Sequence, residues 1–455
     1  MGKVAPVSNV PESRRDDAAP PTSPKDSPTR TARKDEHEEG VRWKLCDCAI
    51  ARRSGASVTT STDEEAIPLS DLPPNKINDT LKRSASDNTS SHPVKSRKIN
   101  NDMPSAVSNG WAGANIVGGN SVARPRLSKP LVYSGSLDNF KNADLTPVIG
   151  REYEGLQVVD LLKADDQVIR DLAVTISQRG VVFLRDQDVT PNQMKEFCLR
   201  LTELAGCPES SGLHIHPLTE EGSELGDQIS VISSEKQKKG GGLTHQLSDV
   251  SRFASAGWHT DISFEQVPSD YAMLKIHTLP TTGGDTLWAS GYEIYDRLSP
   301  AMQKFLEGLT ATHDATFFHE EARRLGNPIR EGLRGSSLNQ GSELKSIHPV
   351  IRTNPVTGWK SVYVNKGFTK RINGVTKDES DVLLNYLFNL VTQNHDAQVR
   401  FKWRKNDLAI WDNRSMWHCA TYDYVEARAG DRVASLGEAP YLDLNSTGRR
   451  EALGL

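Results

Sequence analysis

Hydrophobic and polar positions follow two different periods over residues 150–455. Apolar residues at helical spacing predict amphipathic helices, with a Ser-Pro or Thr-Pro start where a proline opens the helix; these segments are 165–178, 190–204, 299–309 and 378–392. Short apolar runs and alternating segments predict strands; they include 180–185, 228–233, 269–277, 346–352, 360–365, 399–403, 408–412 and 433–436. Many strands with few helices indicate a mainly β domain, either a sandwich or a barrel, with flanking helices.

The first quarter of the chain lacks either period. Residues 1–120 are rich in Pro, Ser, Thr, Asp, Lys and Arg, and such a segment buries too little apolar surface to fold alone. We therefore predict a disordered polar tail over 1–120, a linker over 121–149 and one folded domain over 150–455. The pair Cys46 and Cys48 is interpreted as incidental. The basic cluster 95–98 is interpreted as a solvated charge run, with a nuclear import signal as the alternative.

Composition and charge exclude several classes. The formal net charge of -4 gives no overall attraction to nucleic acid or to an anionic membrane. Five scattered cysteines indicate neither a disulfide framework nor a zinc module, and favour a reducing compartment. The amino terminus has no apolar signal region, and no apolar run approaches the length of a membrane span. We expect a cytoplasmic protein without a membrane or nucleic-acid partner.

One pair of residues suggests metal chemistry. His259 and Asp261 are separated by one residue, so on an extended strand their side chains would point to the same face. His418, just after a tryptophan-containing apolar strand, could complete a site from a distant part of the chain. Two histidines and a carboxylate can bind ferrous iron on one face and leave positions open. Zinc accepts the same ligands, and from the residues alone a lone histidine such as His418 is more often structural than a ligand.

Other polar residues remain open at this level. His214 and His216 lie at strand spacing without a matching carboxylate, which disfavours a second metal site but leaves His216 a substrate-facing role. Arg428 and Arg432 are four residues apart; a guanidinium binds carboxylates or sulfonates with a forked pair of hydrogen bonds, but surface charge is an equal alternative. Residues 236–256 read as a mobile Gly-rich loop, and 316–345 as a lid-like surface excursion.

Several short segments of the chain resemble those of a known enzyme family. Seven short segments follow the order found in taurine dioxygenase and its relatives, the Fe(II)- and 2-oxoglutarate-dependent sulfonate dioxygenases; they are 213–217, 258–261, 282–288, 348–350, 364–369, 409–414 and the arginine pair within 428–432. From about residue 150 to 441 the chain resembles this family. The resemblance implies a double-stranded β-helix, or jelly-roll, flanked by helices.

The resemblance also implies a cofactor site. His259, Asp261 and His418 match the ligands of Fe(II), and they are the residues implied to support catalysis. Thr286 and Arg428 match the residues that hold the far carboxylate of 2-oxoglutarate, which together with O2 serves as co-substrate.

The implied substrate site lies beside it. Arg432 matches the arginine that takes the substrate sulfonate, assisted by His216 and by the backbone at Ile262. Phe264 and Phe368 match aromatic walls along the substrate chain. Each of these roles is an expectation from the resemblance.

The resemblance implies oxygenation of an alkanesulfonate at the carbon next to sulfur, with release of sulfite, an aldehyde, succinate and CO2. Thr219 stands where the family has a tyrosine near the substrate amine, which disfavours taurine itself. The alternatives are a sulfate ester, a carboxylate such as an aryloxyalkanoate, a non-catalytic anion-binding protein of the same fold and, least favoured, a zinc hydrolase. The expected partner is a small anionic molecule, and we expect a homo-oligomer.

Overall fold

The computed structural model describes residues 123–219, 225–235 and 253–455, together with the backbone of Ile116–Val117. Apart from the backbone of Ile116–Val117, the predicted tail 1–120 lies outside the described residues, and so do Cys46, the basic cluster 95–98 and most of the predicted loop 236–256. Within the described part, no helix combines the length and hydropathy that crossing a bilayer requires.

The helices lie where the apolar period predicts them, with additional short ones. In chain order the described helices are α1 Val158–Leu161, α2 Asp166–Arg179, α3 Pro191–Leu204, α4 Gly291–Asp296, α5 Pro300–Glu307, α6 Phe317–Leu325, α7 Lys377–Gln393 and α8 Arg449–Leu453. Capping explains two sharp starts: Thr190 exchanges hydrogen bonds with Gln193 before α3, and Thr376 does so with Glu379 before α7.

Among the described residues, strands are more numerous than helices. In chain order the described strands are β1 Ile116–Val117, β2 Asn142–Asp144, β3 Arg151–Tyr153, β4 Val181–Leu184, β5 Ser230–Ser233, β6 Ser269–Thr278, β7 Thr286–Ser290, β8 Thr310–Asp314, β9 Lys345–Pro349, β10 Ile351–Thr353, β11 Lys360–Val362, β12 Thr369–Ile372, β13 Gln398–Phe401, β14 Leu408–Asp412, β15 Met416–Ala420, β16 Ala429–Leu436 and β17 Leu442–Asp443. The predicted mainly β domain with flanking helices is confirmed.

Two sheets pack against each other in the described domain. Among the described residues, the largest sheet has seven strands in the order β2-β3-β4-β14-β6-β16-β5, and a smaller one has the order β13-β7-β15. Successive side chains of β4 point to opposite faces of the large sheet, so their contacts show what covers each face. Val182 belongs to the core shared with Leu172 of α2 and Phe197 of α3, whereas Phe183 packs on Trp288 of β7 with ring centroids 5.2 Å apart. The large sheet therefore lies between helices and the smaller sheet.

Residues of the predicted linker 121–149 pack against the domain. β2 pairs with β3 in the large sheet, and Leu137 and Ile149 are fully buried. The Asp171 carboxylate of α2 accepts hydrogen bonds from the backbone and hydroxyl groups of Ser134 and Ser136, at 2.8–2.9 Å. Isolated apolar residues joined by such polar contacts carry no period, so the hydrophobic pattern gives no sign of their packing.

Most residues of the predicted surface excursion 316–345 are exposed or half-buried, but a few side chains anchor the segment in the interior. This segment contains α6, and Arg334 and Asn339 within it are fully buried. Arg334 is paired with Glu265, which compensates the burial of both charges. A charged, Gly-containing segment is therefore fixed to the domain at the point where its buried charge has a specific partner.

Candidate active site

Two of the predicted ligands are joined by hydrogen bonds between their backbones. His259 and His418 exchange hydrogen bonds, His259 N–H to His418 O at 3.1 Å and His418 N–H to His259 O at 2.9 Å. His418 lies in the middle of β15 opposite Trp288, and its ring packs near Trp411 of β14. The two imidazole rings are 4.2 Å apart between centroids. The fold therefore joins residues that are far apart in the sequence into one donor pair.

Asp261 reaches these rings from a turn. The expectation of an extended strand through Asp261 is wrong, because the strand-like pairing stops at His259 and residues 261–264 form a turn. Ile262 has φ of 62°, a left-handed conformation that is unusual for a β-branched residue. Asp261 Oδ1 lies 3.5 Å from His259 Nε2 and 3.8 Å from His418 Nε2. The turn, and not strand alternation, brings the carboxylate to the imidazoles.

The donor set suits a divalent cation. Burial is the largest cause that lowers the pKa of His418, to about 3, so its ring is neutral near pH 7. Burial would raise the pKa of Asp261, but Arg432 and His418 outweigh it and hold the pKa well below its usual range. His259 Nδ1 donates to Gly257 O at 2.8 Å, which leaves the lone pair on Nε2. Neutral imidazoles and an ionised carboxylate are the protonation states that metal ions need.

The ligand atoms of these three residues all lie within 4.8 Å of one another. Asp261 Oδ2 is buried without a hydrogen-bond partner in the described structure. Together these observations fit a single ion bound on one face by His259, Asp261 and His418, with the remaining coordination positions open.

Arg428 forms a buried cationic site next to the smaller sheet. Its Nε donates to Gly284 O at 2.8 Å, and its Nη2 lies 3.5 Å from Thr286 Oγ1 at the start of β7. The residue is 4% exposed, and among the described residues no carboxylate forms a direct ion pair with it, although Asp285 lies near enough to act on its charge. Burial lowers the pKa of Arg428. A buried guanidinium without a carboxylate is costly, so an anionic ligand is the natural partner of this site.

Gly284 makes that position possible. Its φ of 74° lies in the left-handed region, and a Cβ there would come within 2.9 Å of Arg428 Cδ. The turn that precedes β7 therefore needs glycine both for its backbone conformation and for the close approach of the arginine.

Arg432 lies on β16 and faces the metal triad. Its Nη1 donates to Asp261 Oδ1 at 2.8 Å, while its Nε is buried without a partner among the described residues. His216 Nδ1 accepts from Leu218 N–H at 3.2 Å, so Nε2 carries the proton of the neutral ring. Burial, with smaller contributions from His214 and Arg432, lowers the pKa of His216 to about 3. Arg432 and His216 thus supply donors beside the triad without a second metal site.

An aromatic wall borders the triad. Phe368 lies 6.4 Å from the His259 ring and 5.1 Å from Phe264, measured between centroids. Phe318 of α6 completes the wall, 5.5 Å from Phe264 and 5.0 Å from His216, and its neighbour Phe317 stacks near Phe368. Phe317 and Phe318 are not among the site residues predicted from the sequence. Two adjacent phenylalanines in an otherwise charged segment were the available signal.

Fold and site together define a class of mononuclear metal enzyme, with two histidines and one carboxylate held on a mainly β scaffold. Residues 141–434 match the family described as taurine catabolism dioxygenase TauD, TfdA family. The chain belongs to this family, which confirms the resemblance stated from the sequence.

Comparisons with individual relatives support the same family. The chain is 46% identical over 341 residues to the alpha-ketoglutarate-dependent dioxygenase btcD of Neocamarosporium betae, covering 72% of this chain and 99% of the relative. It is 32% identical to the alpha-ketoglutarate-dependent sulfonate dioxygenase of Saccharomyces cerevisiae, covering 68% and 70%. The crystal structure of a taurine dioxygenase from Burkholderia xenovorans matches with a TM-score of 0.51 and 25% identity, covering 68% and 97%. The chain is an enzyme, a dioxygenase dependent on 2-oxoglutarate (alpha-ketoglutarate).

Proposed function

We propose that the enzyme oxygenates an alkanesulfonate at the carbon next to sulfur, which releases sulfite and an aldehyde while 2-oxoglutarate is converted to succinate and CO2. The observation that carries the proposal is the division of two arginines four residues apart. Arg428 is buried beside Thr286 and has no direct ion pair with a carboxylate of the described residues. Arg432 is bound to the triad residue Asp261. Two buried guanidinium groups, one bound to the triad and one bound to Gly284 and Thr286, suit an enzyme that binds two different anions.

The triad residues fit Fe(II), and we propose that His259, Asp261 and His418 hold it. When bound, the iron supplies the activation of O2 and the oxidation of the substrate carbon. The protein contributes neutral imidazoles, an ionised carboxylate and a fixed arrangement of donors. We further propose that the two sheets form the double-stranded β-helix of the family, with the triad between them.

In this proposal Arg428 holds the co-substrate. Arg428 and the Thr286 hydroxyl bind the far carboxylate of 2-oxoglutarate, which neutralises the buried guanidinium. Gly284 O already accepts from Arg428 Nε. The guanidinium edge is therefore fixed before the ligand arrives, so less rotamer entropy is lost on binding.

The substrate anion is assigned to Arg432, the Nε2 proton of His216 and the backbone N–H of Ile262. Phe264, Phe368 and Phe318 would then contact the chain that carries the reacting carbon and exclude water from it. These residues bind and orient the substrate, and a 1 Å misplacement of such groups can cost about a hundredfold in rate.

A second candidate has the same site but a different anion. A guanidinium binds sulfonate, sulfate ester and carboxylate groups with similar geometry, so Arg432 alone does not select among them. The relative from Saccharomyces cerevisiae, which is named a sulfonate dioxygenase, favours the sulfonate. A sulfate ester is the next candidate, followed by a carboxylate such as an aryloxyalkanoate.

A substrate panel tests the proposal. Purified enzyme with Fe(II), 2-oxoglutarate and O2 is given alkanesulfonates, alkyl sulfates and aryloxyalkanoates, and succinate, sulfite and sulfate are measured. We expect sulfite together with succinate from a sulfonate. Sulfate release would identify a sulfate ester substrate, and succinate without either product would indicate a carboxylate. Absence of succinate from every substrate would contradict catalysis at this site on these substrates.

A further inference from the structure

Glu265 is a buried carboxylate with no role in binding metal or substrate in the proposed function. It directly follows the turn 261–264, and its N–H donates to Ile262 O at 3.0 Å. Its own carbonyl accepts from His348 Nε2 at 2.9 Å. Both backbone groups of Glu265 are thus bound, so the residue fixes the end of the turn that carries Asp261 and Ile262.

The side chain of Glu265 is clamped by Arg334. Arg334 Nε donates to Oε1 at 2.5 Å and Nη2 donates to Oε2 at 3.0 Å, a forked pair between residues that are 0% and 3% exposed. Arg334 Nη1 also donates to Arg330 O and Gly341 O, both at 2.8 Å. The carboxylate is therefore held rigidly against the segment 330–341.

The same carboxylate faces the segment that carries His216. His214 Nε2 lies 3.7 Å from Glu265 Oε1, is buried and has no hydrogen-bond partner in the described part of the chain. The His214 backbone N–H donates to Ala434 O at 2.8 Å, two residues beyond Arg432 on β16. Glu265 therefore contacts, directly or through one residue, the segments of all three proposed anion donors, Ile262, His216 and Arg432.

The left-handed turn needs such support. A non-glycine residue in this conformation is strained and persists only where its surroundings hold it. We propose that Glu265, clamped by Arg334, is the positioning residue that fixes the anion-binding end of the site, through Ile262 on one side and His214 on the other. The proposal rests on the proposed function, because it takes the bound anion to lie among Arg432, His216 and Ile262.

The test separates positioning from stability. Replacing one partner strands a buried charge, whereas replacing both by apolar residues is often tolerated. The main variant is therefore Glu265→Leu with Arg334→Leu, and the second is Glu265→Asp, which keeps the charge but withdraws it by one methylene. Binding of hexanesulfonate and of Co(II) is measured by calorimetry, and melting temperature is measured in parallel.

We expect both variants to bind hexanesulfonate about tenfold to a hundredfold more weakly, while Co(II) affinity falls by less, because His259 and His418 are held by their own backbone bridge and the Asp261 N–H donates to Asn413 Oδ1. As a control, Arg352→Leu with Glu438→Leu removes a different buried arginine–glutamate pair, with side chains 1% exposed, and should leave hexanesulfonate affinity unchanged.

The proposal is overturned if Glu265→Asp and the folded double variant bind hexanesulfonate as tightly as the unaltered chain, or if every loss of binding follows the loss of melting temperature. Should the unaltered chain turn over no sulfonate and bind none, the proposed function fails instead, a result seen before any variant is made.

Discussion

Arg432 Nη1 donates to Asp261 Oδ1 at 2.8 Å, and the same oxygen faces the Nε2 atoms of His259 and His418. The proposed anchor for the substrate anion thus shares a hydrogen bond with a proposed metal ligand. An anion at Arg432 would draw its positive charge away from Asp261 and so favour a cation at the triad. Coupling of this kind is reciprocal, so the cation would favour the anion equally.

Replacing Arg432 should affect the two ligands in opposite directions. In Arg432→Met, we expect sulfonate binding to weaken by about 2–3 kcal/mol because a charge-assisted contact is lost. Co(II) should bind more tightly, because the positive charge next to Asp261 is gone. Calorimetry with each ligand alone measures both effects. Arg371→Met removes an exposed arginine that donates to Val375 O and serves as the charge-matched control; normal sulfonate turnover by Arg432→Met would contradict the assignment of the anchor.

Removing the carboxylate should abolish metal binding. Asp261→Ala leaves two imidazoles, which hold a divalent ion far less well than the full triad, so we expect loss of both bound iron and turnover. Metal content after dialysis and succinate formation are the measurements. The control is Asp396→Ala, which removes an exposed carboxylate paired with Arg297. Full iron occupancy in Asp261→Ala would show that the ion binds elsewhere.

Arg428 and Thr286 should control affinity for 2-oxoglutarate. In Arg428→Met we expect the KM for 2-oxoglutarate to rise by about two orders of magnitude, consistent with about 2–3 kcal/mol for a buried charge-assisted pair. Thr286→Val should give a smaller rise, because one neutral hydroxyl is lost. Initial rates at varied 2-oxoglutarate concentration test this. An unchanged KM in both variants would exclude this site for the co-substrate.

The aromatic wall should select substrates by chain length. Each methylene buried against Phe318 contributes about 0.8 kcal/mol, or about fourfold in KM. We therefore expect KM to fall along a series of lengthening alkanesulfonates, and this dependence to be reduced in Phe318→Ala. Phe305→Ala changes a phenylalanine that is 47% exposed on α5 and should leave the series unaltered. Identical chain-length profiles in all three proteins would exclude Phe318 from the substrate wall.

Buried histidines should make the metal-free protein sensitive to acid. Burial, with Arg352 adding to it, lowers the pKa of His348 from 6.5 to about 3. Between those values the unfolded chain binds a proton that the folded chain does not, so the free energy of unfolding decreases as pH falls, by up to about 1.4 kcal/mol per pH unit for one group.

His348→Gln should reduce that slope by up to the same amount, because glutamine can still donate to Glu265 O but does not titrate. Urea unfolding in the presence of a chelator, at about pH 7 and about pH 5, measures the slope. His395→Gln removes an exposed histidine and is the control. The assignment would fail if His348→Gln and His395→Gln changed the slope equally.

Much of the site follows from the sequence because its chemistry is local. His259 and Asp261 are close in the chain, and the arginine pair keeps a fixed spacing on or next to one strand. Gly284, two residues before Thr286, is required because its φ is positive and because Arg428 approaches it closely. His418 was less certain from the residues alone, since only long-range strand pairing shows that it meets His259.

The parts that the sequence did not predict depend on specific partners. The turn at Ile262 is held by Glu265 and Arg334, which come from segments far apart in the chain. Phe318 joins the wall because the buried side of α6 packs against Phe264 and His216, while its charged residues stay at the surface. Apolar periodicity reports which face of an element is buried, but it does not report which buried charge finds which partner.

The backbone bridge between His259 and His418 has a consequence for folding. The two ligands close a very long loop of chain, and loop closure of this kind carries a substantial entropic cost. A bound ion would act as a cross-link across that loop and would stabilise the native state by an amount that grows with the logarithm of its free concentration. Metal supply in the cell would then set the lifetime of the folded protein as well as its catalytic rate.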